Sequence, residues 1–230
     1  MQQVYHFILI GGPNAGKGTN IKILQQNAAK PMRHLGTGDL IRDKIYSGTR
    51  FGKSISDKVW AGDLLNDKLV FNDIVTKYTG KYSYRTNYIF DGFPRTVVQA
   101  EDYMVLKLAM ENNFAKTKDS YSITPKDYKI QTIVVGLEAS DDVIMQRAQF
   151  RAKGKNPRKD DLDINIVRHR LEIYKEKTMP VLDYFDGQNI PVHIIDVNDD
   201  IFANKELMKK RETEIINILK TYNFAKDSQM

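Results

Sequence analysis

Cysteine is missing altogether from the 230 residues. That excludes a disulfide framework and any zinc site built on thiolates, and it suits a reducing compartment. Histidine is scarce, with 4 in the chain. His34 has no other His or Cys near it in sequence, so it reads as structural rather than as a metal ligand. Long apolar runs are absent too. The apolar opening, Val4 to Ile10, is too short to span a membrane and runs straight into a glycine-rich stretch. Neither a signal peptide nor a transit segment is expected, so a cytoplasmic protein with no membrane partner is. There is no repeat, no low-complexity tract and no block of like charge. Lys and Arg number 35 against 29 Asp and Glu, for a net charge of +6 and a pI near 9.2, but the basic residues are scattered. Scattered basic charge suits a small anionic ligand better than nucleic acid, for which no motif is present. The length suits one domain, or one domain with insertions. No apolar stripe stands out as unused, so a monomer is expected.

What is there begins with Gly11-Gly12-Pro13-Asn14-Ala15-Gly16-Lys17-Gly18-Thr19. A short apolar run, Phe7 to Ile10, precedes it, and a helical pattern with Ile21, Ile23 and Leu24 follows. Strand, glycine-rich turn and helix together make a phosphate-binding loop. Glycines let backbone N–H groups approach a phosphate, and the helix start adds partial positive charge. Lys17 adds a full charge that reaches the outer phosphates, and Thr19 can serve a magnesium shell. A merely structural turn would have no need of Lys17.

The spacing Gly-x-Pro-x-x-Gly-Lys-Gly-Thr resembles the loop of nucleoside monophosphate kinases of the adenylate kinase family. Gly18 stands where the general motif has Ser or Thr. Asn14 replaces a glycine usual in that family, and Asn tolerates left-handed backbone. The resemblance continues through Thr37-Gly38-Asp39 and Arg42, with Gly36 in place of the usual Ser. Asp39 also reads as a helix cap. Gly48, Gly52-Lys53 and Ala61-Gly62-Asp63-Leu64-Leu65 recur at family spacing. The family often has Lys at position 63. Trp60 reads as packing rather than as a base-stacking ring. Asp91-Gly92-Phe93-Pro94-Arg95, with Gln99 beyond it, is the most specific short motif. By resemblance Phe93–Pro94 is a cis candidate. Arg147, Arg151, Arg158 and Arg170 complete an arginine set around a helix break. Only six residues separate Arg151 from Arg158, so the lid is of the short type.

The resemblance implies an α/β P-loop kinase. Its five-stranded parallel sheet carries helices on both faces, with strands near Val4–Ile10, Pro31–Leu35, Asn87–Asp91, Ile130–Leu137 and Pro191–Asp196. Residues 1–36, 67–148 and 161–230 would form the core, 37–66 a monophosphate-binding insert and 149–160 the lid. A polar surface loop is expected as an insertion near 112–129, and frayed residues from Lys226 onward. The implied roles are as follows. Pro13, Asn14, Ala15, Gly16, Lys17, Gly18, Thr19, Arg147, Arg151 and Asp199, in the loop Val197 to Ile201, would hold the donor triphosphate. Thr37, Arg42, Asp63, Leu64, Leu65, Gly92, Arg95, Gln99, Arg158 and Arg170 would hold AMP. Lys17, Arg95, Arg147, Arg158 and Arg170 would form the catalytic cage, and Thr19 and Asp91 would touch Mg2+ through water. The reaction implied is reversible phosphoryl transfer from ATP to AMP, giving two ADP. A GTP:AMP phosphotransferase, a UMP/CMP kinase and a catalytically inactive nucleotide-binding adaptor stay open.

Overall fold

The computed structural model describes residues 2–116, 121–154, 157–201 and 204–226. At its centre lies β1 (Gln2–Gly11), a strand whose residues from Val4 to Ile10 are all buried. Only a strand covered on both faces reads as an unbroken apolar run. Alternate side chains serve opposite layers. Val4, Ile8 and Ile10 join one core cluster with Phe90, Val134 and Phe185. Tyr5, Phe7 and Leu9 join the other with Ile89, Val135 and Leu219.

Following the chain, α1 (Lys17–Asn27) leads to β2 (Arg33–Gly36), then to α2 (Thr37–Tyr46) and α3 (Arg50–Trp60). Two short helices, α4 (Asp67–Leu69) and α5 (Thr76–Thr79), are joined by a π-helical stretch, Val70–Val75. Next come β3 (Tyr88–Asp91), α6 (Val97–Glu111), β4 (Asn112–Lys116), β5 (Tyr121–Pro125) and β6 (Tyr128–Glu138). The last third holds α7 (Asp141–Ala152), a 3-10 turn at Lys159–Asp161 and α8 (Ile164–Ile173). A π-helical turn (Tyr174–Thr178), α9 (Pro180–Gly187), β7 (Val192–Asp196) and α10 (Lys205–Thr221) complete it. Five strands form one sheet in the order β2-β3-β1-β6-β7, every neighbouring pair parallel. The five expected strands are thus present, each within a few residues of its expected bounds. No helix among the described residues is long and apolar enough to cross a membrane.

Three expectations are corrected. The stretch 112–129 is not a plain loop: β4 and β5 pair as an antiparallel hairpin, Asn113 opposite Thr124. Among the described side chains Ser122, Ile123 and Thr124 are all exposed, so β5 carries no alternation of buried and exposed residues over these three positions. Lys126 anchors the return by donating from its backbone N–H to Glu111 O (2.8 Å) and from Nζ to Met110 O (2.7 Å). At the other end of the chain Lys226 is not frayed, since its backbone N–H donates to Asn27 O at 2.8 Å and its ammonium to Gln26 O at 2.5 Å. Residues 227–230 lie outside the described residues, as do Lys155 and Asn156 of the expected lid. Finally, α6 does leave an apolar stripe: Val98, Val105 and Leu108, at helical spacing, are all exposed.

Candidate active site

The carboxyl ends of β1, β2 and β3 converge, as parallel strands require, on the loops that carry the expected chemistry. After β1 the chain turns through Asn14 (φ 55°) and Gly16 (φ 84°), both left-handed, which is what Asn and Gly tolerate at low cost. Gly16 is the N-cap of α1, with no side chain capping the helix and no acidic residue in its first turn. The uncapped N–H groups and the helix dipole make that terminus an anion site. Thr19 lies in the same first turn, and Gly18 has open space where a side chain would begin. Asn14 Oδ1 accepts from Arg151 Nη1 at 3.3 Å, which ties the loop to α7.

Lys17 folds back over its own loop. Its ammonium donates to Gly11 O (2.7 Å) and Gly12 O (2.8 Å). Burial pushes its pKa down to about 8. Asp91 opposes that shift, and the charges of Arg95, Arg170 and Arg158 add to it. Asp91 ends β3. Burial alone would raise its carboxyl, but the hydrogen bond from His34 (3.3 Å) and the charge of Lys17 outweigh it and hold the group below the usual range. Asp91 therefore stays an anion beside the loop.

Beyond Asp91, Gly92 has φ 75°, and a Cβ there would come within 2.8 Å of both Arg95 Nη2 and Thr37 Oγ1. Thr37, at the start of α2, donates its hydroxyl to Gly92 O at 2.7 Å, so it joins the two loops. Phe93–Pro94 is cis. Arg95 is fixed at both ends: Nε donates to Gly92 O (3.0 Å), and its carbonyl accepts from Thr178 Oγ1 (2.9 Å). Burial, and then Arg170, weigh against its charge.

The remaining arginines are held by carboxylates. Arg170 pairs with Asp160 and Asp161, each at 2.9 Å, and Arg151 Nε with Asp161 at 3.2 Å. Asp161 has a fully buried side chain. Arg42 and Arg158 share Asp39 Oδ1, at 2.5 and 3.5 Å. Asp39 is accordingly not the cap of α2: Gly36 holds that position and Asp39 lies in the first turn. Arg147 stands apart, donating to Val197 O (2.7 Å) and Asp199 O (3.1 Å).

Lys17, Leu64, Gly92, Arg95, Arg170 and Thr178 line one cavity of about 60 Å³. The walls leave little free space between them. Its walls are pressed together by contacts between the α2–α3 region and the elements after α7. Asp63 pairs with His169 of α8 at 2.7 Å. The Trp60 ring lies 5.3 Å from the Lys159 ammonium and 5.7 Å from the Tyr46 ring. A Cβ at Gly62 would meet Arg170 Cγ at 2.8 Å. Leu65 and Gln99 do not line this cavity, and both are buried. The Asp199 side chain is exposed and does not line the cavity.

Sequence reading missed Asp67, Asp160, Asp161, His169 and Thr178, and read His34 as merely structural. Two acids at a helix break flanked by arginines were a usable signal for Asp160 and Asp161. The partners of Asp67 and Thr178 lie too far along the chain for any such signal. Among the described residues no group of three or more His, Cys, Asp or Glu could hold a metal ion. A magnesium ion fits here only with most of its shell from phosphate and water, and the anionic Asp91 and Thr19 suit that arrangement.

Comparison with known proteins agrees with the geometry. A family profile described as adenylate kinase matches residues 9–190. The adenylate kinase of Flavobacterium psychrophilum is 32% identical over 214 residues, covering 93% of this chain and 99% of the relative. Adenylate kinase 1 of a Nostoc species is 33% identical over 193 residues, covering 84% and 89%. The adenylate kinase of Trichodesmium erythraeum is 29% identical over 208 residues, covering 90% and 97%.

Proposed function

Because this chain belongs to the adenylate kinase family, we propose that it transfers the γ-phosphoryl group of ATP to AMP, reversibly, giving two ADP. One observation carries the reading: Lys17, Arg95 and Arg170 line a single cavity between the phosphate-binding loop and the Asp-Gly-Phe-Pro-Arg turn. Donor and acceptor are both polyanions, and the barrier to transfer is largely charge that must be gathered and neutralised. No strong base is required.

In this reading the loop from Pro13 to Thr19 cradles the donor phosphates with backbone N–H groups. Lys17 leaves Gly11 O and Gly12 O for the outer phosphates. Arg95 and Arg42 clamp the acceptor phosphate, and the planar fork of Arg95 suits two of its oxygens at once. Arg158 and Arg170 close over the transferred group, with Arg151 at the donor end. Arg147 adds to the positive cage at the donor end, beside the loop Val197 to Ile201, which with Asp199 holds the donor base. Thr37, Asp63, Leu64, Leu65, Gly92 and Gln99 frame the acceptor nucleoside. The segments 37–66 and 149–160 act as insert and short lid around the core. Closing them excludes water, so phosphate is not lost to hydrolysis. Bound magnesium would neutralise the β- and γ-phosphate oxygens, its waters held by Asp91 and Thr19. The protein acts in the cytoplasm.

The test is a coupled phosphotransfer assay with magnesium and AMP, comparing ATP and GTP as donors, with CMP and UMP as rival acceptors. ADP formed from ATP and AMP supports the reading. Product with GTP alone moves the protein to the GTP:AMP enzymes. No transfer by a folded protein that still binds nucleotide would make it an adaptor.

A further inference from the structure

Gln99 does not stand free in the acceptor region. Its side-chain Oε1 accepts from the backbone N–H of Arg95 at 2.8 Å. Its Nε2 donates to Asp67 Oδ1 at 2.8 Å. The same carboxylate oxygen accepts from Thr96 Oγ1 at 3.0 Å. Thr96 Oγ1 in turn accepts the backbone N–H of Gln99 at 3.1 Å, which satisfies one of the free donors in the first turn of α6.

Each of these bonds has only one possible direction. A backbone N–H can only donate, and a carboxylate can only accept. The Thr96 hydroxyl takes the Gln99 N–H on its oxygen, so its proton goes to Asp67. The Gln99 amide oxygen must therefore face Arg95, and its NH2 must face Asp67. The amide cannot turn over without setting donor against donor on one side and acceptor against acceptor on the other. One amide hydrogen and one carbonyl lone pair are left unused, on a side chain that is buried in this structure. Asp67 is well placed to fix the amide, since it opens α4, where the chain returns from the insert to the core.

We propose that Asp67 is a positioning residue for acceptor choice: by fixing the Gln99 amide it sets which hydrogen-bonding edge of a purine monophosphate the site accepts. The inference rests on the functional reading above. Adenine offers an acceptor ring nitrogen beside a donor amino group. Hypoxanthine offers the reverse, a donor ring nitrogen beside an acceptor oxygen. A locked amide tells these apart, and a free one matches either by rotating. Sites that fix a hydrogen-bonding edge discriminate far more strongly than apolar pockets do.

The experiment measures steady-state kinetics for AMP and IMP as acceptors, with ATP as donor, on the wild type, Asp67→Ala and Asp67→Asn. Asp67→Ala removes a carboxylate that accepts two hydrogen bonds, from Gln99 and Thr96, so an effect of about tenfold or more is expected. Asp67→Ala should raise KM for AMP about tenfold and reduce the AMP-over-IMP preference in kcat/KM by a similar factor. KM for ATP should stay within about twofold. Asp67→Asn keeps an acceptor of the same size and should fall between. If Asp67→Ala fails to fold, Asp67→Asn alone still carries the expected direction. Equal losses with AMP and IMP, or a rise in KM for AMP and ATP alike, would overturn the proposal. If the wild type transfers nothing, the functional reading has failed instead. Calorimetric binding of AMP and IMP to the wild type and Asp67→Asn then decides the inference by the same change in ratio.

Discussion

Lys17 is held in an unfavourable state until an anion reaches it. Its folded pKa of about 8 lies below the ordinary 10.5, so between those values the unfolded chain binds a proton that the native protein does not. Stability attached to Lys17 is therefore complete above pH 10.5 and is lost as pH falls to about 8. Relative to Lys17→Met, the wild type should gain on the order of 1 kcal/mol between pH 8 and 10, read from denaturant midpoints. Turnover of Lys17→Met or Arg95→Ala at pH 7 should fall by orders of magnitude with the fold intact, and a variant keeping more than half the activity would sink the assigned role. His6 gives an acid-side counterpart. Fully buried beside the Tyr103 hydroxyl (3.1 Å), it has its pKa pushed down to about 3 by burial and then by Lys107. As pH falls below 6.5 the unfolded chain takes up the proton first, so the native state loses up to about 1.4 kcal/mol per pH unit. His6→Leu should flatten that slope between pH 7 and 5 in urea unfolding. At this scale the legible residues were those inside contiguous motifs, such as Lys17, Asp91 and Arg95. His34 and Asp67 were not, because their partners Asp91 and Gln99 are distant in sequence and are brought near only by the sheet and the helix packing.

Gly52 shows what the elements require of one another. It sits in α3, where a Cβ would lie 1.9 Å from Lys44 O in α2, so the two helices touch backbone to backbone. Gly52→Ala must push them apart. The expected cost is about 2 kcal/mol in unfolding free energy, together with weaker AMP binding and unchanged ATP binding by calorimetry. Equal weakening of both nucleotides would mean the damage is not confined to the α2–α3 pair. Element types were readable where burial wrote a period into the sequence: β1 and β6 as apolar runs, and α10 through Ile215 and Leu219. The β4–β5 hairpin was not, because its described side chains face solvent and nothing selects their alternation. Strand order was also unreadable, since it depends on where each crossover lands rather than on what the strand contains.

Across the whole molecule the cleft is held shut by a seam of dissimilar contacts: Arg158 on Asp39, Lys159 over Trp60 and His169 on Asp63. Trp60 is the only tryptophan in the chain, so its emission reports on that seam without a label. Asp63→Lys removes the carboxylate that meets His169 there, and should shift Trp60 emission to the red. An unchanged spectrum would show that the seam does not depend on this pair. The sequence placed Asp63 and Trp60 in the insert, but nothing in it pointed to His169 or Lys159 as their partners. The sheet carries a further consequence, which concerns how the chain is made. β1 is paired on both sides by strands that come later: His6 stands opposite Tyr88 and Thr132. At roughly 5–20 residues per second, a ribosome needs about 4–16 s to add the first partner and longer for the second. Throughout that interval this apolar strand has no edge covered. A polypeptide stalled before β6 displays an aggregation-prone template, and its phosphate-binding loop has no finished sheet beneath it.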